Sequence, residues 1–143
     1  MSVEKHLNEA IANFTVSYYK LHRFHWFVQG PLFFELHALY QKLYEEAAEH
    51  LDDFAERLLA IGGKPVSTLK DVLNTATISE QVDEVTQEAI AKSLIKDYSH
   101  IAANLKQGIK AAEAEDDDVT ADMFVEAIEA FEKHIWMLNQ SLK

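Results

Sequence analysis

The sequence predicts an all-α chain, a bundle of four long helices with a short fifth helix in the connection between the second and the third. Three observations carry this. Only 4 Gly and 2 Pro occur in 143 residues, and most of them stand at two breaks, Gly30-Pro31 and Gly62-Gly63-Lys64-Pro65. Away from the breaks, apolar residues recur at steps of three and four, the period of one helix face. The stretch after the second break is too long for a tight turn, so it crosses the bundle if its neighbours run parallel.

The elements follow in order. Before Gly30-Pro31, the residues Leu7, Ile11, Phe14, Tyr18, Leu21 and His25 form one stripe, which predicts the first helix. Leu36, Tyr40, Leu43, Ala47, Leu51, Phe54, Leu58 and Ile61 predict a second helix that ends at the double glycine. A short helix is expected from about Ser67 to Leu73. A third long helix is expected from about Ser79, with Leu94, Tyr98, Ile101, Leu105, Ile109 and Ala112 on one face, ending near the acidic run Glu113 to Asp118. The last helix carries Met123, Ala127, Phe131, Ile135 and Leu138. No repeat, low-complexity tract or second domain is visible, so residues 1–143 read as one domain, and 48% hydrophobic content is enough to build its core.

Composition narrows the function. The chain has no Cys, which excludes disulfides, thiolate metal sites and a thiol nucleophile, and suits a reducing cytoplasm. Any metal must be held by His and carboxylates. Glu4 and Lys5 precede any apolar run, so no leader is expected, and no stretch is long enough to span a membrane. The formal charge of −11 repels phosphate backbones and favours cations as partners.

The second helix holds the most informative chemistry. Beside its core stripe runs another, His37, Gln41, Tyr44, Ala48, Asp52, Ala55 and Leu59, with Glu56 adjoining. Both stripes cannot face one core, so the second is a candidate subunit interface, with Ala48 and Ala55 small enough for close approach. His37 and Gln41 form one i, i+4 pair and Asp52 and Glu56 another, and each pair converges on a point. Within one chain the two points lie ~22 Å apart at about 1.5 Å per residue, too far to share an ion. A two-fold axis between Glu46 and Ala47 of antiparallel second helices puts His37 opposite the partner's Glu56 and Gln41 opposite the partner's Asp52. An isologous dimer then builds two equivalent sites. His25, at the end of the first helix, completes a set of imidazoles and carboxylates suited to ferrous iron or zinc.

The segments His22-Arg23-Phe24-His25-Trp26, Leu51-Asp52-Asp53-Phe54-Ala55-Glu56-Arg57 and Lys133-His134-Ile135-Trp136 resemble those of the Dps family, small bacterial ferritins, and the resemblance runs over essentially the whole chain. It implies a ferritin-like four-helix bundle, a ferroxidase centre between two-fold-related subunits, and a hollow shell of twelve subunits. By position His25, His37, Asp52 and Glu56 match four of the family's five ligands. The fifth departs: Gln41 stands where the family usually has Asp, which removes a negative charge and lowers affinity at the second metal position. Glu45, one turn on, is a candidate replacement. Trp26 matches an aromatic residue that in the family lies beside the centre and can intercept a stray oxidising equivalent, and it reads equally well as packing.

The resemblance also bears on the acidic run Glu113, Glu115, Asp116, Asp117, Asp118 and Asp122. Capping of the last helix accounts for one or two of these. Family members carry acidic residues here at three-fold pores that admit ferrous ions, and Glu113, Asp118 and Asp122 match by position. The implied function is peroxide-dependent iron oxidation and ferric mineral storage, protecting the cell and its DNA. Two alternatives stand beside it: a DNA-coating shell, which the lack of a Lys-rich terminal extension argues against, and a structural oligomer in which Gln41 has disabled the centre. His22, His100 and His134 receive no role, and His134 is expected to pack near Trp136.

Overall fold

The computed structural model describes residues 2–143. Its helices are α1 (Val3–Phe27), α2 (Phe33–Ala60), the short α3 (Leu69–Thr75), α4 (Gln87–Ala114) and α5 (Asp118–Ser141), the all-α bundle that the sequence predicts. None of the described helices is long and apolar enough to cross a membrane.

Local chemistry sets the helix ends. Ser2 caps α1 by accepting from the Lys5 amide, Thr68 caps α3 through Asp71, Thr86 caps α4 through Ala89, and Asp117 caps α5 through Thr120. α2 closes on Gly62 in the left-handed region, φ 91°, with the Gly63 amide donating to Leu58 O at 2.9 Å. A Cβ on Gly63 would collide with the Leu58 side chain, so both glycines of this break are needed.

Packing joins two hairpins, α1 with α2 and α4 with α5, mainly through α1 against α4. The Val3 amide donates to Glu115 Oε2 at 2.8 Å, so the start of α1 meets the end of α4 and the two run antiparallel. The Gln29 amide donates to Val85 O at 2.7 Å, which sets the start of α2 beside the start of α4. Those two helices therefore run the same way, and the long connection crosses the bundle as expected. Phe14, Phe24, Phe54, Phe124, Leu7 and Leu58 are fully buried at the centre. Each such side chain contributes about 1.5–3 kcal/mol relative to exposure.

Two sequence expectations are corrected here. The third long helix begins at Gln87, not near Ser79: residues 79–85 are irregular, Thr86 caps the helix, and the connection is tied down on either side of the irregular stretch. Asn13, fully buried on α1, accepts from the Thr77 and Ile78 amides at 2.7 and 3.2 Å, and Gln29 takes Val85. Those backbone groups are engaged outside any helix. The short helix covers Leu69–Thr75 rather than Ser67–Leu73, because Thr68 is its cap. Most of the apolar stripe residues are buried as read, Tyr18, Leu51, Ile109, Met123 and Ile135 are half-buried against the core, and Ile61 is 40% exposed, since it lies beyond the last turn of α2.

Candidate metal centre

His25 ends α1 and His37 lies in the second turn of α2, and the short connection between these helices brings the rings together. They stack with centroids 3.6 Å apart and planes at 15°. His25 Nδ1 donates to His37 O at 2.7 Å, and His37 Nδ1 donates to His25 O at 2.7 Å. A carbonyl oxygen only accepts, so each Nδ1 carries the proton and each Nε2 keeps a free lone pair. Metal-binding imidazoles are oriented in this way, by a hydrogen bond from the other ring nitrogen. Phe33 stacks on His37 at 5.2 Å and Tyr44 meets the His25 ring edge-on at 5.4 Å, which holds both rings in place.

The remaining candidates lie along the outer face of α2. Gln41 is exposed, and its Nε2 donates to Glu45 Oε1 at 3.1 Å. Asp52 and Glu56 are exposed about three and four turns beyond Gln41. Asp52 raises the Glu56 carboxyl above the usual carboxylate range, first through its charge and then through a hydrogen bond between the two. Two carboxylates that repel in this way are stabilised by a shared cation. The imidazole pair and the carboxylate pair stay apart within the subunit. Among the described residues, no three His or carboxylate side chains of the single chain are placed to hold one ion.

A family model for the ferritin-like domain matches residues 4–143. The DNA protection during starvation protein 2 of Bacillus anthracis is 43% identical over 136 residues, which cover 95% of this chain and 93% of that protein. Dps from Staphylococcus aureus superposes with a TM-score of 0.96 at 41% identity, covering 99% of this chain and 95% of that one. The chain belongs to the Dps family of ferritin-like proteins. Another Dps, from Vibrio cholerae O1, is described as a member of a broad superfamily of ferritin-like diiron-carboxylate proteins. It matches with a TM-score of 0.95 at 30% identity, covering 99% of this chain and 89% of that one.

In this Dps chain the acidic run divides by what each carboxylate touches. Glu115 caps α1 through the Val3 amide. Asp117 caps α5 and accepts from Arg57 Nη2 at 2.8 Å. Burial raises the Asp117 carboxyl, but the Thr120 and Arg57 hydrogen bonds outweigh it and leave it lowered. Glu113, Asp118 and Asp122 are exposed and make no side-chain hydrogen bond or ion pair among the described residues.

Trp26 is 54% exposed and packs on His22 at 5.4 Å and Tyr19 at 6.3 Å rather than on His25. Its link to the imidazole pair runs through His22, which stacks on Tyr44 at 3.7 Å. His134 does not pack near Trp136 as expected. It faces inward, with Nε2 donating to Glu46 Oε2 at 2.7 Å and its ring 5.5 Å from that of Tyr98. His50, unremarked in the sequence, donates to the other oxygen of Glu46 at 3.2 Å. An i, i+4 spacing of Glu46 and His50 was the available signal, whereas the His134 contact depends on tertiary packing.

Proposed function

We propose that this Dps chain is one subunit of a hollow, iron-oxidising and iron-storing shell, with His25, His37 and Gln41 of one subunit and the partner's Asp52 and Glu56 forming each oxidation site. The observation that carries the proposal is the reciprocal lock between His25 and His37, which turns two proton-free Nε2 atoms toward a site with no carboxylate of its own. The second chain supplies that carboxylate pair by the two-fold relation between Glu46 and Ala47.

The adjoining surface suits a second copy. A groove of about 750 Å³ runs between α1, α2 and α3, lined by Tyr19, Trp26, Phe27, Leu51, Leu69 and Leu73. Tyr19 is 69% and Leu69 77% exposed on the single chain, an apolar surface that a partner would cover. The shell of twelve subunits and the cytoplasmic setting extend the same reading from the family.

The substrates are ferrous iron and hydrogen peroxide. Each of two adjacent ferrous ions gives one electron. Peroxide takes both with two protons and leaves as two waters, so no hydroxyl radical is released. The carboxylates stabilise the ferric product, which migrates to acidic groups inside the shell and mineralises. Glu113, Asp118 and Asp122, left free of structural duties, line the proposed entry pore and concentrate cations there. Zinc competes for the same imidazole and carboxylate donors. Protection of DNA then follows from removing iron and peroxide, since a chain of charge −11 is a poor ligand for phosphate backbones.

The test is to add ferrous iron and peroxide to the purified oligomer and follow ferric absorbance. Oxidation faster than that of free iron and of a His37→Ala/Asp52→Ala variant is expected. Equal rates for all three would sink the proposal.

A further inference from the structure

The Gln41 side chain is neutral where the proposed site must offset two dications, yet its amide is not free to turn. Its Nε2 donates to Glu45 Oε1 at 3.1 Å, and a carboxylate only accepts, so the nitrogen must face Glu45. The amide oxygen then lies on the other branch of the amide, away from the Glu45 carboxylate. Glu45 sits one turn beyond Gln41 and two beyond His37 on the same face, beside the proposed dyad. Its carboxylate makes no ion pair among the described residues.

We propose that Glu45 is the positioning residue of the oxidation site: it fixes Gln41 with Oε1 toward the metal position that His37 also faces, and supplies the negative charge that Gln41 lacks. This rests on the two-chain site proposed above. Gln41 and Glu45 together then do what one carboxylate at position 41 would do, the amide giving the donor atom and the neighbour giving the charge. The carboxylate also polarises the amide through a charge-assisted hydrogen bond, which makes Oε1 a better donor to a hard cation.

Cobalt(II) is a suitable probe because it is not oxidised under mild conditions and its visible spectrum reports coordination. Titration of the intact oligomer is expected to resolve a tighter and a weaker step per site. Glu45→Gln, which keeps size and helix propensity, is expected to weaken the weaker step roughly ten- to a hundredfold, the range for loss of a partner that orients a ligand. The tighter step should stay within about threefold, and the band of the second cobalt should change in intensity. In a Gln41→Asp background the same Glu45→Gln change is expected to have little effect, because the ligand then carries its own charge.

An unchanged weaker step in Glu45→Gln would overturn the proposal, as would equal weakening of both steps in both backgrounds, the mark of a general structural effect. Asp52→Ala separates the two levels of inference. If it abolishes cobalt binding while Glu45→Gln does nothing, the shared site stands and the role of Glu45 falls. If cobalt binding survives Asp52→Ala unaltered, the shared site itself falls and the role of Glu45 with it.

Discussion

Helix α2 carries two clusters of histidine and carboxylate, and they differ in one respect: the inner one is complete within the chain and the outer one is not. Inside, His50 and His134 donate to the two oxygens of Glu46 at 3.2 and 2.7 Å, and Phe14 stacks on the His50 ring at 5.3 Å. Burial raises the Glu46 carboxyl, but the hydrogen bonds from His134 and His50 outweigh it and bring it to about 2. Outside, His25 and His37 spend their Nδ1 protons on each other's backbone and leave both Nε2 atoms without a carboxylate. Residue types alone do not distinguish the clusters. The difference is whether the polar groups are satisfied: a satisfied cluster holds helices together, whereas an oriented and unsatisfied one awaits a ligand.

Substitutions in the two clusters should therefore act on different observables. The largest expected effect is on catalysis: His37→Ala or Asp52→Ala lowers the stopped-flow rate of ferrous oxidation by at least about a hundredfold, with little change in unfolding midpoint. Comparable rate loss from Glu46→Ala would break the distinction. Glu46→Ala should instead cost about 1–3 kcal/mol in denaturant unfolding at fixed protomer concentration, because two inward-facing imidazoles lose their acceptor. The oxidation rate of the folded variant should stay near that of the parent.

The same carboxylate sets an acid limit. Its pKa is depressed in the folded state, so its contribution to stability is fully present above the usual Glu value of about 4.5 and is lost as pH falls toward about 2. Glu46→Gln is expected to flatten unfolding midpoints over that window. A parallel pH profile for variant and parent would place the acid sensitivity elsewhere.

The smallest effects sharpen an equivalent contrast within the acidic run. Asp117→Ala removes a cap and an ion pair with Arg57 and should cost about 1 kcal/mol of stability. Asp118→Asn with Asp122→Asn should leave stability within about 0.5 kcal/mol and slow iron uptake into the shell, read as the time course of mineral absorbance. Slower uptake in Asp117→Ala alone would assign the pore to the wrong carboxylates.

The outer cluster was legible in the sequence because helical periodicity is regular enough to count: the displaced stripe from His37 to Leu59 has no room in the core and is left outside. His25 was legible as the end of an apolar stripe just before a break. The inner cluster was not, because His134 reaches Glu46 from a helix 88 positions away, and only packing sets that register. The start of α4 was misread for a related reason. Val82 and Val85 continue an apolar spacing compatible with a helix, but the crossover is pinned by the Asn13 side chain and the Gln29 backbone amide, neither of which stands out in its local sequence. The cap at Thr86, followed by Glu88 in the first turn, was the signal that could have located the boundary. Buried asparagines that bind backbone of a distant segment leave no periodic mark.

Subunit complementation tests most directly whether imidazoles from one chain meet carboxylates from another. His37→Ala and Asp52→Ala chains are each expected to form inactive oligomers. In a heterodimer of the two, one site carries both lesions and the other carries neither. Co-assembly in equal amounts should therefore restore about one quarter of the wild-type oxidation sites, counted by rapid ferrous oxidation per subunit. A mixture as inactive as its parents, despite verified co-assembly, would contradict the two-chain site.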